Sequence, residues 1–444
     1  MLKGKKSFAL FMSLFLIISV VLTGCSESES ENASSDQTKD GRVVVDFWTF
    51  WGSETRRPII EKIVKDFNES QDEIFVKHTY LPWGDIWTKN LASIAAGNPA
   101  DVIINDINTV SHRAKNEQAM NLTKYIEKED NFKDSFYPEL WNAVTYKDEA
   151  YAVPFNTDTR LLFYNKDAFK EAGLDPDKPP KTWKELEEYA KKLDKKNGDR
   201  YERIGFYPVW GSFGPGSWAI NGDQGRNWIE DKEVLVNTEG KVEALSWVRS
   251  WRERLGDNTI NEFKSQFGNK QANPFISGKV AMYADVATFY TQLRDYGKDV
   301  NFGVAPIPAK DEESKHWSMG GGFVAEVPKG ADHPEEAFEF IKYLTGVEAQ
   351  TYWATKNFDN VANIEASKKA AESEELSEEG KYVYQKAVDN LEVTKLTPVP
   401  VYAPDYLSMI NPQIDAIMLG QTDAKKALDK AQKDVENIVE KNTK

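Results

Sequence analysis

Downstream of a polar stretch that ends near Gly41, apolar positions alternate between strand and helix spacing. Val43, Val44, Val45, Phe47 and Trp48 form a β-branched and aromatic run. Ile59, Ile60, Ile63, Val64 and Phe67 then recur at helical spacing, with Ser53 placed to cap them. A strand over 74–80, a helix over 87–96, a short buried strand over 101–104 and a helix over 110–117 follow. Strand, helix, strand, helix, strand predicts a parallel sheet with helices on both faces, an α/β fold. Ligands of such sheets bind beyond the carboxyl ends of the strands, here residues 49–54, 81–85 and 105–109.

The stretch YAVPFNTDTRLLFYNKD, residues 151–167, interrupts that rhythm. Pro154 excludes a central ladder position and predicts an edge or a crossing. The polar cluster Asn156 to Arg160 sits between Pro154 and the apolar run Leu161 to Tyr164, as in a crossing between two lobes whose polar groups face a gap. Beyond it, Thr182 and Glu185 form a capping box for a helix with Trp183, Leu186, Ala190 and Leu193 on one face, ended by Asn197-Gly198. Residues 206–228 hold too many Gly and Pro for regular structure. A helix over 242–255 carries Trp247 and Trp251, and 275–284 and 300–305 read as strands. Gly320 to Gly322 precede a strand over 323–327. Pro334, Glu335 and Glu336 open a helix to Leu344, and a last helix covers 424–439.

At 444 residues, two domains are expected. The net charge of −15 becomes −18 once Lys3, Lys5 and Lys6 leave with residues 1–24. That field repels phosphate backbones, and no basic aromatic patch offsets it, so nucleic acid is excluded as a partner. The 13 Trp, 18 Tyr and 23 Phe often stand in Gly, Pro and Asp company, which suggests exposed stacking surfaces as well as core. His78, His112, His316 and His333 are scattered without partner cysteines, which gives no metal or triad motif. No P-loop or Rossmann spacing occurs, and no cofactor is expected.

Residues 1–24 have signal-peptide grammar: a basic start, an apolar run from about Phe8 to Leu22, then small residues. Leu22-Thr23-Gly24-Cys25 resembles the lipobox of bacterial lipoproteins, which implies lipid on Cys25, the single cysteine. Residues 25–41 then read as a lipidated cysteine and flexible tether.

The ordered set FWTFWG, PADVIIND, YAVPFN…LLFYNKDAFKEAGL, PKTWKELEEYAKKL, FISGKVAM, GGGFVAEVPKGADHPEEAFEFIKYLTG and ALDKAQKDVENIV resembles the extracellular sugar-binding proteins of bacterial ABC importers, the group that includes maltose-binding protein. The resemblance implies a two-lobed periplasmic-binding-protein-like fold, each lobe a mainly parallel sheet flanked by helices. Lobe 1 would be 42–153 with 318–364, and lobe 2 would be 157–315 with 365–444. It implies a monomer, lipid-anchored on the outer face of the cell membrane, that closes on an oligosaccharide and hands it to permease subunits without catalysis.

A sugar ring offers hydroxyls on its edge and C–H bonds on its face, so acids and amides beside flat aromatic rings are the expected ligand residues. Trp51 and Glu54 follow the first strand, Trp83 and Asp85 the second, and Asp106 and Asn108 the third. Asp158 matches the family's acidic position before the YNKD strand, and Asp285 follows the GKVAM strand. Trp210 and Trp218 lie in the Gly-rich stretch. Gly321 and Gly322 let a ligand approach the backbone, and Tyr402 and Tyr406 stand in a Pro-rich loop. Aromatics spread over so many loops favour an oligosaccharide over a monosaccharide. Two rivals remain: a secreted carbohydrate hydrolase, which needs two flanking carboxylates, and a binding protein for a quaternary ammonium solute, held in an aromatic cage.

Overall fold

The computed structural model describes residues 37–444. The expected signal peptide, Cys25 and most of the tether lie outside the described residues. Among those described, no helix is long and apolar enough to cross a membrane.

The first half builds as its apolar pattern dictates. Strand β1 (Val43–Thr49) leads to helix α1 (Arg57–Ser70), β2 (Ile74–Tyr80), α2 (Asp85–Ala96), β3 (Val102–Asp106) and α3 (Val110–Lys115). Helix α1 buries Ile59, Ile60, Ile63, Val64 and Phe67, the five positions at helical spacing. Ser53 acts a turn earlier than expected: its Oγ accepts from the Arg56 N–H at 3.1 Å, ahead of the helix. The chain continues through β4 (Val153–Thr157), β5 (Arg160–Asn165), β6 (Met282–Val286), β7 (Phe302–Pro306), β8 (Ser318–Met319), β9 (Gly322–Glu326), β10 (Asn360–Val361) and β11 (Thr394–Lys395).

Two main sheets result. The larger runs β10-β4-β9-β3-β1-β2. Strand β1 is parallel to β2 and β3, while β9 is antiparallel to β3 and β4. The smaller runs β6-β5-β7, with both outer strands antiparallel to β5. The expectation of two mainly parallel sheets is therefore corrected. The chain enters the second sheet through the middle strand, and β6 and β7, parallel to each other, flank it through a crossover that includes the helix Tyr290–Tyr296.

Pro154 sits where a missing N–H costs least. The β9–β4 ladder slips at Phe323/Val324, so Pro154 lies at a bulge, and β10 reaches only Asn156 and Thr157. The polar residues after it mostly join crossing segments to one another instead of facing a gap. Thr159 Oγ1 lies 2.6 Å from Thr394 Oγ1 and accepts from Asn390 Nδ2 at 2.7 Å. Ser318 Oγ donates to the Arg160 carbonyl at 2.8 Å. β8 pairs in parallel with β11, Ser318 opposite Thr394. Three passes of the chain thus share one buried polar node, which satisfies backbone groups that have left their ladders.

Elsewhere the helix Trp183–Leu193 is capped by Thr182 as expected, but Gly198 belongs to a hairpin of Lys195–Asn197 with Arg200–Arg203 and does not end the helix. Within the Gly-rich stretch, Pro215 opens a helix, Pro215–Gly222. Of 275–284, only the end is strand.

Candidate functional site

The carboxyl ends of β1 and β2 and the start of β9 gather an aromatic shelf. Phe50 lies 4.7 Å from the Trp83 ring and 4.7 Å from that of Phe323. Trp83 is also 4.7 Å from Trp87, in edge contact. Gly84, with φ +84°, turns the chain into α2 and leaves Trp83 60% exposed, the most exposed large apolar side chain described. Its indole is braced by neighbours and open to solvent.

Beside the shelf lies a cavity of about 560 Å³. Trp83, Trp87 and Asn90 line one side, Asp106, His112 and Arg113 the floor, and Val399, Pro404 and Asp405 the far wall. Asp106 is held by the Asn108 N–H, 2.8 Å from its Oδ1. Burial pushes its carboxyl above the usual range, against the pull of that N–H and of Arg113. Beneath it, buried Glu326 accepts from Arg113 Nε at 2.7 Å and from Asn105 Nδ2 at 3.3 Å. That pairing fixes the floor, since a lone buried charge would be costly.

The wall is the Pro-rich segment 396–405. Asn108 Oδ1 accepts from the Thr397 N–H at 3.2 Å, and its carbonyl from the Val399 N–H at 2.7 Å. Further along the segment, Tyr402 Oη accepts from the Lys232 N–H at 3.0 Å. The segment is bonded on both sides.

Two smaller cavities adjoin the crossing. One, of about 240 Å³, lies among Arg160, Ser217, Trp228, Gly320, Tyr406 and Asn411. The other, of about 260 Å³, brings Thr55 and Arg56 opposite Asp285 and Gln292. Burial pushes Asp285 upward, opposed by a Ser212 hydrogen bond and by Arg160. Among the described residues, no three His, Cys, Asp or Glu side chains group as metal ligands would.

The family model for bacterial extracellular solute-binding proteins matches residues 51–351. The chain belongs to this family. The maltodextrin-binding protein MdxE of Bacillus subtilis (strain 168) is 26% identical, aligned over 99% of this chain and 98% of its own. The arabinooligosaccharide-binding protein of the same strain is 24% identical, over 85% of this chain and 84% of its own. The solved structure of CpMnBP1 with mannotriose bound is 27% identical and superposes with a TM-score of 0.75, covering 89% of this chain and 100% of the other.

In this solute-binding protein, the residues singled out in the sequence separate by burial. Trp83 and Asp106 meet in the largest of these cavities. Asp285 and Tyr406 line the two smaller ones, and burial pushes the Tyr406 phenol up to about 12. Three of the tryptophans expected at the site are buried among other side chains in this conformation and line none of these cavities. Trp51 packs at 4.3 Å on Trp353 and 5.0 Å on Phe155. Trp210 lies against Phe267 and Tyr207. Trp218 is fully buried against Phe213, its Nε1 donating to the Pro208 carbonyl at 2.9 Å. Glu54 and Asp85 are exposed and line none of these cavities, though Thr55 and Arg56 beside Glu54 do. Asn108 and Tyr402 hold the wall segment. The glycines also serve the protein itself: a Cβ on Gly320 or Gly322 would strike the carbonyls of Asp158 or Asn156. Gly321 donates its N–H to Asp158 Oδ1 at 2.6 Å.

Trp87, Asn90, His112, Trp228 and Asp405 escaped the sequence reading. Trp87 and Asn90 carried one signal, a polar side chain three residues from a Trp on the core-facing side of a helix.

Proposed function

We propose that this solute-binding protein is the substrate-binding component of an ABC importer and takes an oligosaccharide between its two lobes. The carrying observation is the juxtaposition of the open Trp83 indole with the half-buried carboxylate of Asp106 in one cavity of about 560 Å³. The ring face suits a sugar's C–H surface and the carboxylate its hydroxyls. Relatives named for maltodextrin and arabinooligosaccharide and a neighbour holding mannotriose support the oligosaccharide class while differing in the sugar. Closure about the crossing segments favours the liganded form, which permease subunits then read. The lobes are taken as 42–153 with 318–364 and 157–315 with 365–444; the two sheets support such a division, with the strand Val153–Thr157 belonging wholly to the larger one. The protein is a monomer tethered outside the cell membrane by lipid on Cys25.

Hydrolysis is disfavoured because the acids near the crossing are already engaged. Asp158 Oδ1 accepts from both Arg160 and Gly321, and Asp106 Oδ1 from Asn108. A quaternary ammonium solute could use the aromatic shelf but none of the hydroxyl-binding groups beside it.

Calorimetry with maltotriose, mannotriose and arabinotriose tests the reading. Micromolar or tighter binding of at least one, with the sugar recovered intact, is expected. Binding of choline or betaine with no response to any of the three, or cleavage of the bound sugar, would overturn it.

A further inference from the structure

Helix α2 carries two polar atoms that the fold leaves unsatisfied. Trp87 Nε1 and Asn90 Oδ1 are buried and have no hydrogen-bond partner among the described residues. Asn90 is only 1% exposed, and both residues line the cavity of about 560 Å³. Set three residues apart, they share one face of the helix. Buried polar groups are nearly always paired in a native protein, because an unpaired one forfeits its bonds to water. A donor and an acceptor left unpaired on two residues that line one cavity, beside an exposed indole, have the pattern of a site built for a partner that both accepts and donates.

We infer that Trp87 and Asn90 read the hydroxyls of a sugar ring seated on Trp83. The Trp87 N–H donates to a hydroxyl oxygen, and the Asn90 carbonyl accepts a hydroxyl proton. This rests on the oligosaccharide reading and goes beyond it, assigning the helix a role in selectivity. A ring that lacks the hydroxyls at this position satisfies neither group. A quaternary ammonium ion satisfies neither as well, since it has no proton to give and no lone pair to accept. Sites that hydrogen-bond a ligand hydroxyl discriminate strongly against analogues without it, because their own buried groups are then stranded.

A site of this kind is held at the expense of the unliganded fold, and the test uses that. Trp87→Phe keeps an aromatic ring against Phe50 and Trp83 and removes the N–H, while Asn90→Leu keeps the volume and removes the carbonyl. Thermal unfolding of the sugar-free full chain and calorimetry with maltotriose, mannotriose and arabinotriose are measured for both variants and the parent. The expected result is affinity at least tenfold weaker with a Tm equal to or above the parent's, and partial recovery in Asn90→Asp, which restores an acceptor. Affinity within twofold of the parent in both variants overturns the inference alone. So does a joint fall of Tm and affinity in both, which would make the pair a brace for the helix. A parent that binds none of the three sugars overturns the oligosaccharide reading and this assignment together.

Discussion

Arg160 Nη1 donates to Asp158 Oδ1 at 2.6 Å, and the same oxygen accepts from the Gly321 N–H at 2.6 Å. Arg160 also reaches the Met319 carbonyl at 2.9 Å. The carboxylate therefore ties one crossing pass to another before any ligand arrives. In Asp158→Ala the Gly321 N–H loses its acceptor and the partly buried guanidinium keeps only the Met319 carbonyl, at about 1–3 kcal/mol. A lower Tm and weaker sugar binding are both expected, and Asp158→Asn, which can still accept from Gly321, should fall between. Unchanged affinity beside a lowered Tm would leave Asp158 a hinge residue only.

Trp83 should behave in the opposite way. Its indole is exposed, so Trp83→Ala costs the fold little, while loss of a stacking face should weaken sugar binding by tenfold or more. Calorimetry and a thermal melt on the same preparation separate the two effects.

This contrast marks what could be read in the sequence. Helix α1, the Thr182 cap and the strands β1 to β3 follow from local periodicity, and they came out as read. Among tryptophans, chain position past a strand end was a weak guide. Trp51 and Trp83 occupy equivalent positions after β1 and β2, yet Trp353 and Phe155 bury the first and nothing covers the second. The covering residues come from more than 100 positions away, beyond the reach of any local pattern. The direction of β5 to β7 was hidden for a related reason: the order in which strands join a sheet is a tertiary property.

Asn108, expected among the ligand residues, bonds the chain's own wall segment in this structure. Its side chain accepts from Thr397 and so fixes the cavity's far wall. Asn108→Ala should cost about 1 kcal/mol, speed hydrogen exchange at the Thr397 amide and weaken sugar binding several-fold. Slow exchange at Thr397 in the variant would show that other contacts hold the wall.

His78 should leave a signature in pH. Burial holds its imidazole down at about 4, and its Nε2 lies 2.7 Å from Thr49 Oγ1. The unfolded chain takes up this proton near 6.5 and the folded one near 4, so stability falls as pH drops through that window. The loss approaches about 3 kcal/mol, the neighbouring Glu61 already opposing the effect of burial. His78→Gln should flatten this part of the profile in urea midpoints compared at pH 7 and pH 4.5. An identical slope in variant and parent would refute it.

Asp106 and Asp285 shift the other way, upward with burial. As ionised acceptors for sugar hydroxyls they lose function when protonated, and a raised pKa brings that loss on at higher pH than for an exposed aspartate. Affinity measured from pH 7 downward should therefore decline before an ordinary carboxylate would titrate. Constant affinity down to pH 4 would mean that neither acid contacts the ligand in its charged form.

Strand β9 lies between β3 and β4 in the larger sheet, although some 165 residues separate it from β4. A chain synthesised and exported from its N-terminus must hold β3 and β4 apart, with apolar edges unpaired, until every strand of the smaller sheet has emerged. The larger sheet, begun first, is thus completed after the smaller one, and a polypeptide stopped before Ser318 has a gap in its middle. For the cell, this makes the export-stage chain a natural client for chaperones that shield open strand edges.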